Sequence, residues 1–228
     1  MNALVIVAHP DDPEFFAGGT IAHWRDAGHE VRYLILTGGD KGSDDPDMTP
    51  GRLVRIRHEE QRAAAAVLGV QEVVFLEMTD GELSNDRYAQ QAIVRYVRRW
   101  RPDVILTTDP LTLHYGATRI NHSDHRIAGI LVCDALFPAA GNRMYFPQLL
   151  AEGTQPHYPR EIYFAGTTQP NTLIDVTEQI EQKIAAILRH VSQVRDPQGL
   201  PERVKQGMLR VLTDGRARYY ESFRRVML

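Results

Sequence analysis

The sequence predicts an α/β fold: a Rossmann-like, mostly parallel sheet with helices on both faces and a C-terminal helical extension. Three observations predict it. Short apolar runs rich in β-branched residues recur at Leu4–Ala8, Val31–Thr37, Val73–Met78 and Val104–Thr107, each bounded by Gly, Asp or Pro. Longer stretches with helical spacing lie between them. Strand and helix therefore alternate, and the right-handedness of βαβ crossovers makes a Rossmann-like order the simplest topology.

Taken in order, LVIVA reads as a buried parallel strand, and after the pair Gly18-Gly19 the stretch Ile21–Ala27 has helical spacing, closed by Gly28. VRYLILT is the second strand. Leu53–Leu68, with its Ala63–Ala66 run, is a strong helix former ended by Gly69. VVFLEM is the third strand, and Tyr88–Trp100 sets Ile93, Val97 and Trp100 on one helical face before Pro102 stops it. VILT is the fourth strand. The second half is less regular. Glu161–Gly166 (EIYFAG) reads as another strand, Thr177–Val194 as a long amphipathic helix, and the terminal ESFRRV as a solvated helix face. Residues 138–160, punctuated by Pro and Gly, are either a flap over a site or a long connection. A chain of 228 residues that is 43% hydrophobic supplies one sizeable core, so residues 1–228 are expected to form a single domain.

Composition excludes several functions. The formal net charge of -3 gives no basic field for nucleic acid or an anionic membrane surface, and a small neutral or mixed-charge substrate fits better. The single cysteine, Cys133, lies in the apolar run IAGILVCDALF, where it reads as a small buried hydrophobe and points to a reducing compartment. The start MNALVIVAHP has no basic leader region, and no window reaches the ~18 apolar residues of a membrane span. A cytoplasmic protein without membrane insertion is expected.

In open α/β sheets, ligands bind outside the carboxyl ends of the strands. His9, Asp11, Asp12 and Glu14 follow the first strand, Asp40 the second, Asp80 the third and Asp109 the fourth; NHSDHR, with His122, Asp124 and His125, comes a dozen residues later. So many acids at one edge repel one another and a phosphate alike, and the loop lacks the GxGxxG that a pyrophosphate needs. A divalent cation removes the conflict. His9 and Asp12 can face one ion, and His125 can complete a set that leaves positions open for water and substrate. Imidazole and carboxylate without thiolate suit zinc first, with manganese, cobalt or iron as substitutes. Asp11 then lies within reach of the water that the metal activates. Taken alone, AHPDDPEF also suits an acidic helix N-terminus, and NHSDHR a helix start capped by Asn121 or Ser123.

AHPDD followed by xE and GG, with a downstream HxDH, resembles the signature of the PIG-L/LmbE family of zinc-dependent N-acetylglucosaminyl de-N-acetylases. The resemblance extends over GHEVRYLILTGGDKG, IRHEEQRAAAAVLGV, RPDVILTTDP and IDVTEQIEQKIAAILRHVSQV, most of the chain. It implies one Zn2+ per chain on His9, Asp12 and His125, Asp11 as general base and His122 as the oxyanion-stabilising histidine. Ser123 stands where relatives with an HPDH motif often carry proline, and the acidic loop GGDKGSDDPDMTPGR favours a neutral sugar partner over an anionic one.

The expected reaction is removal of acetyl from an N-acetylglucosamine-containing conjugate or oligosaccharide, with zinc-bound water as nucleophile. Arg57 and Asp80 are the candidate contacts to sugar hydroxyls, His114 and Tyr115 candidate pocket residues, and His190 a residue near the site or at a subunit contact. His23, His29 and His58 read as surface or capping groups. Relatives often assemble, so a homo-oligomer is possible. The rival readings are a phosphoesterase using Glu14 and Asp40 for a second ion, and a non-catalytic sugar- or metal-binding module.

Overall fold

A computed structural model describes residues 1–211 and 216–228. Its first half alternates as the sequence predicts: β1 (Asn2–Val7), α1 (Asp12–Asp26), β2 (Glu30–Thr37), α2 (Pro50–Val67), β3 (Glu72–Met78), α3 (Arg87–Trp100) and β4 (Val104–Thr108). A small hairpin of β5 (His114–Tyr115) and β6 (Arg119–Ile120) leads into α4 (Ser123–Asp134), which runs on as a π-helical turn at Ala135–Ala140. Then come α5 (Gln148–Ala151), β7 (Glu161–Ala165), β8 (Thr172–Asp175), α6 (Ile180–Ile187), α7 (Leu200–Met208), β9 (Leu209–Val211) and β10 (Ala217–Met227).

The main sheet has the order β3-β2-β1-β4-β7-β10-β8, with β9 paired to β10. Pairings from β3 through β7 are parallel, and β10 runs antiparallel to both β7 and β8. The chain leaves β1 towards β2 on one side, while β4 lies on the other. The carboxyl ends of β1 and β4 therefore flank the switch point where this architecture opens a crevice. Alternate residues of the central strands feed two cores. Leu4, Ile6, Leu34 and Ile105 pack with Ile93 and Val97 of α3 and with Leu131 of α4. Ala3, Val5, Val7, Tyr33 and Leu106 pack on the other face with Ile21 of α1, Ala65 of α2 and Ala186 of α6.

The second half departs from expectation in two places. The helix expected over Thr177–Val194 is only Ile180–Ile187. Asp175 Oδ1 accepts the Thr177 N–H and hydroxyl, which holds that residue outside the helix. At the other end Arg189 and His190 donate to carbonyls three residues back, a tightening that ends the α-helical ladder. ESFRRV is not a helix face but part of strand β10, where Glu221 and Phe223 are buried at a spacing of two. The helical extension thus holds α6 and α7, after which the chain returns to the sheet between β7 and β8. His58, expected at the surface, is buried and stacked on Phe75 at 3.7 Å between ring centroids.

Two buried cations fasten the periphery. Arg98, 1% exposed, donates to the carbonyl oxygens of Ala139, Ala140, Asn142 and Tyr145 at 2.9–3.0 Å and so ties the start of the 138–160 segment to α3. Lys183 of α6 meets Glu221 of β10 at 2.6 Å, both side chains almost fully buried. The same carboxylate accepts the N–H groups of Gly19 and Thr20 at 3.0 and 2.7 Å. Those donors need it, because α1 leaves helical geometry at Ala17 (φ -146°) and its second half begins without intrahelical acceptors. Glu221→Ala strands a buried ammonium and two amides, so urea unfolding should show a loss of about 3–5 kcal/mol. A loss below about 1 kcal/mol would mean that the pair is not holding α1.

Candidate active site

The loop after β1 and the start of α4 bring two histidines and an aspartate together. Asp12 opens α1, so its side chain sits at the positive end of the helix. Its Oδ2 accepts the His9 N–H at 2.8 Å, which folds the loop back on itself. His125 arrives from the first turn of α4. His9 Nδ1 lies 3.3 Å from His125 Nε2 and 3.5 Å from Asp12 Oδ2, and His125 Nε2 lies 3.1 Å from Asp12 Oδ1. Donors bonded at about 2.0–2.2 Å to one tetrahedral ion sit roughly 3.3–3.5 Å apart. The separations here, 3.1–3.5 Å with both Asp12 oxygens taking part, are close to that spacing, and the group is one that could hold a metal ion.

Protonation supports the same fit. His125 Nδ1 lies 3.1 Å from Asn121 Oδ1, an atom that can only accept, so Nδ1 carries the proton and Nε2 keeps its lone pair. His9 Nε2 faces Asp124 Oδ2 at 3.3 Å and Asp80 Oδ1 at 3.2 Å, so its proton is there and Nδ1 keeps its lone pair. Both facing nitrogens can thus turn a lone pair to a cation beside a carboxylate, and in its absence a proton held by His9 fills that role. Such outer acceptors also fix the rings' orientation and raise their basicity.

The charges follow from these contacts. Burial lowers the pKa of His9, but hydrogen bonds to Asp12, Asp124 and Asp80 outweigh it and hold it well above the usual value. Burial works to raise that of Asp12, yet the charge and hydrogen bonds of His125 and His9 keep its carboxyl far below the ordinary range. Asp11 differs. Burial pushes its carboxyl up to about 6, against the pull of the Arg57 guanidinium. Its backbone is strained too, with φ at 95°, a region that side-chain-bearing residues avoid.

Beside the triad opens a cavity of about 460 Å³, with Asp12, His122 and His125 on its floor and Phe16, Tyr115 and Ile120 among its walls. The Arg119 guanidinium covers the Tyr115 ring at 4.3 Å. A cleft with aromatic walls and a polar floor suits a small polar molecule carrying apolar faces.

The family model described as PIG-L, GlcNAc-PI de-N-acetylase, matches residues 4–136. The chain is 35% identical over 192 residues to the diacetylchitobiose deacetylase of Thermococcus kodakarensis, covering 84% of this chain and 70% of that protein. The chain belongs to the PIG-L family. The structure of N,N'-diacetylchitobiose deacetylase from Pyrococcus horikoshii, complexed with its inhibitor MPG, matches with a TM-score of 0.87 at 29% identity, over 99% of this chain and 84% of that one. Not every PIG-L relative carries a deacetylase name: the 4-oxalmesaconate hydratase of Pseudomonas putida is 28% identical, covering 82% of this chain and 71% of that protein.

Within the PIG-L fold the expected residues separate into a cluster and a layer behind it. His9, Asp12 and His125 converge, with Asp11 adjacent and the His122 ring 4.7 Å from that of His9. Arg57 and Asp80, expected to meet sugar hydroxyls, are instead 4% and 6% exposed. Arg57 donates to Pro10 O, Gly39 O and Asp11 Oδ2, and Asp80 faces His9. Their hydrogen-bonding capacity is turned inwards because α2 and the third loop pack directly behind the β1 loop. Gly39 permits this, since a Cβ there would overlap the Arg57 guanidinium. Glu14 and Asp40, the acids considered for a second ion, are engaged as well: Glu14 accepts from Gln61 and His190, and Asp40 accepts the Asp80 N–H.

Sequence reasoning missed Gln61 and the role of Asn121. The signal for Gln61 was present: Leu53, Arg57, Gln61 and Ala64 lie on one face of α2, and all are buried. Two long polar side chains on a core-facing stripe need partners inside. In this PIG-L chain Asp124→Asn should weaken binding of a divalent metal about 10–100-fold, by removing an anionic acceptor from His9. Calorimetric titration of the apoprotein checks it; unchanged affinity would leave Asp80 alone as the orienting group.

Proposed function

We propose that this protein is a metal-dependent hydrolase that removes the acetyl group from an N-acetylglucosamine-containing sugar conjugate or oligosaccharide. The carrying observation is the convergence of two imidazole nitrogens and one carboxylate beside a partly buried aspartate. The PIG-L match and the diacetylchitobiose deacetylase relatives support the same substrate class. Zinc is the proposed ion, since a His-His-Asp donor set without thiolate suits it best, with one ion per chain on His9, Asp12 and His125. Bound there, the metal supplies Lewis-acid polarisation of the acetamide carbonyl and makes water acidic enough to attack near neutral pH.

The chain's own residues do the rest. Asp11 takes the proton from the attacking water and passes it to the departing amine. His122 donates to the developing oxyanion. Its Nδ1 accepts the Asp124 N–H at 3.1 Å, so the ring proton sits on Nε2, and the neutral ring can donate. That tautomer matters, because burial and the charge of His9 hold the His122 pKa below its ordinary value. The oxyanion interaction needs no imidazolium.

The aromatic cavity wall supports a neutral sugar face as the bound group. The lone Cys133 supports a reducing compartment, and we place this single-domain enzyme in the cytoplasm. Asp11→Asn should retain metal while kcat for amine release from N,N'-diacetylchitobiose falls on the order of 10²-fold or more. His9→Ala should lose the ion itself, and chelation should abolish turnover. If no free amine forms from any of a panel of acetylated glucosaminides at full metal occupancy, the deacetylase assignment fails.

A further inference from the structure

Both ends of the Pro10–Asp11 peptide are gripped from one side. Arg57 Nη2 donates to the Pro10 carbonyl at 2.5 Å, and the Asp11 N–H donates to Gln61 Oε1 at 2.8 Å. Arg57 and Gln61 are one turn apart on α2, so a single rigid helix holds the whole peptide plane. The gripped peptide leads into the residue with φ at 95°. A strained conformation persists only where its surroundings over-determine it.

The grip has a direction. Gln61 Nε2 donates to both oxygens of Glu14 at 3.0 Å, and His190 Nε2 lies 3.0 Å from Glu14 Oε2. Glu14 and His190 are fully buried, as is Gln61. A carboxylate accepts from both sides, so it forces the Gln61 amide to present nitrogen inwards and oxygen towards Asp11. Were Glu14 a donor, the amide would turn over and face the Asp11 N–H with another N–H. Tyr33 adds to the enclosure: its buried hydroxyl lies beside Glu14, and burial followed by the charge of Glu14 raises its pKa.

We infer that Gln61, polarised by Glu14 and His190, is a positioning residue that fixes the strained Asp11 backbone so that its carboxylate meets the attacking water. The inference rests on the proposed role of Asp11 as base. It gives Glu14, the last acid of the AHPDDPE stretch, a task other than metal binding, and it gives His190 one too: carrying the segment after α6 into the site's support.

The test is steady-state deacetylation of N,N'-diacetylchitobiose, with metal content and thermal unfolding recorded for each variant. Gln61→Met keeps the side-chain length and removes the acceptor; kcat should fall about 10²-fold, with KM within about threefold and metal retained. Glu14→Gln should do the same by turning the amide. The double variant Glu14→Gln/Gln61→Glu restores an acceptor facing Asp11 and should recover at least about tenfold of the rate lost by Glu14→Gln. A folded Gln61→Met enzyme with near wild-type kcat overturns the inference, as does a double variant no faster than Glu14→Gln, or loss of metal in step with rate. In the wild-type protein the Asp11 amide should exchange slowly with solvent, and free exchange overturns the clamp even where no variant folds. Asp11→Asn separates the two levels. If it turns over normally, the base assignment fails; if it is inactive beside a normal Gln61→Met enzyme, only the clamp fails.

Discussion

Two imidazole nitrogens and a carboxylate facing one another within 3.5 Å are the constraint on which this site depends. They call for positive charge, a proton on His9 or a metal ion, because Asp11, Asp80 and Asp124 crowd the same few ångströms, with Arg57 hydrogen-bonded to Asp11. At short range, unscreened interactions between such groups amount to several kcal/mol each. A fold that assembles this cluster at a strand edge is poised to take up positive charge. The α/β switch point supplies the place, since the β1 loop and the turn into α4 open side by side there.

The same constraint explains the layer behind the cluster. A ligand that must present one nitrogen and hide the other needs an acceptor on its far side, and Asn121, Asp80 and Asp124 provide these. Asp124 belongs to the HxDH motif yet serves His9, which is 115 residues away in the chain, rather than the histidines on either side of it. Helix geometry accounts for this. Asp124 and His125 are consecutive in α4, so their side chains diverge by about a quarter turn, which aims one at His9 Nε2 and the other at the side of Asp12.

The parallel half of the sheet and the metal-binding cluster were legible in the sequence because both have strong one-dimensional signatures. Buried parallel strands are uninterrupted apolar runs, His9 and Asp12 follow the end of one, and His125 stands in the HxDH motif that opens α4. β10 was not legible. Its burial alternates with a period of two, but the inward positions include Glu221, a charge whose partners Lys183, Gly19 and Thr20 come from elsewhere in the chain. Arg57 and Asp80 were recognised as belonging to the site but assigned to its outer surface. Their depth depends on how closely α2 approaches the β1 loop, a tertiary distance that no local pattern encodes.

The engagement of the acids beyond the ligand set supports the proposed single ion. Glu14 and Asp40 made a two-ion phosphoesterase conceivable, since two ions need carboxylates to share between them. Each has a different occupation. Both Glu14 oxygens accept from Gln61, and one also faces His190, so offering either to a metal would cost the orientation of the Gln61 amide. Asp40 Oδ1 accepts the N–H of Asp80 and so anchors the loop that carries an acceptor for His9. A second ion would therefore have to dismantle the supports of the first. The remaining group of metal-binding geometry among the described residues, His9 with His122 and Asp124, shares His9 with the triad and so competes with it. His9 cannot serve both well, because the proton that its Nε2 gives to Asp124 and Asp80 is what leaves Nδ1 free. One cation, with an unshared aspartate beside it, is the arrangement of a water-activating hydrolase rather than of an in-line phosphoryl clamp.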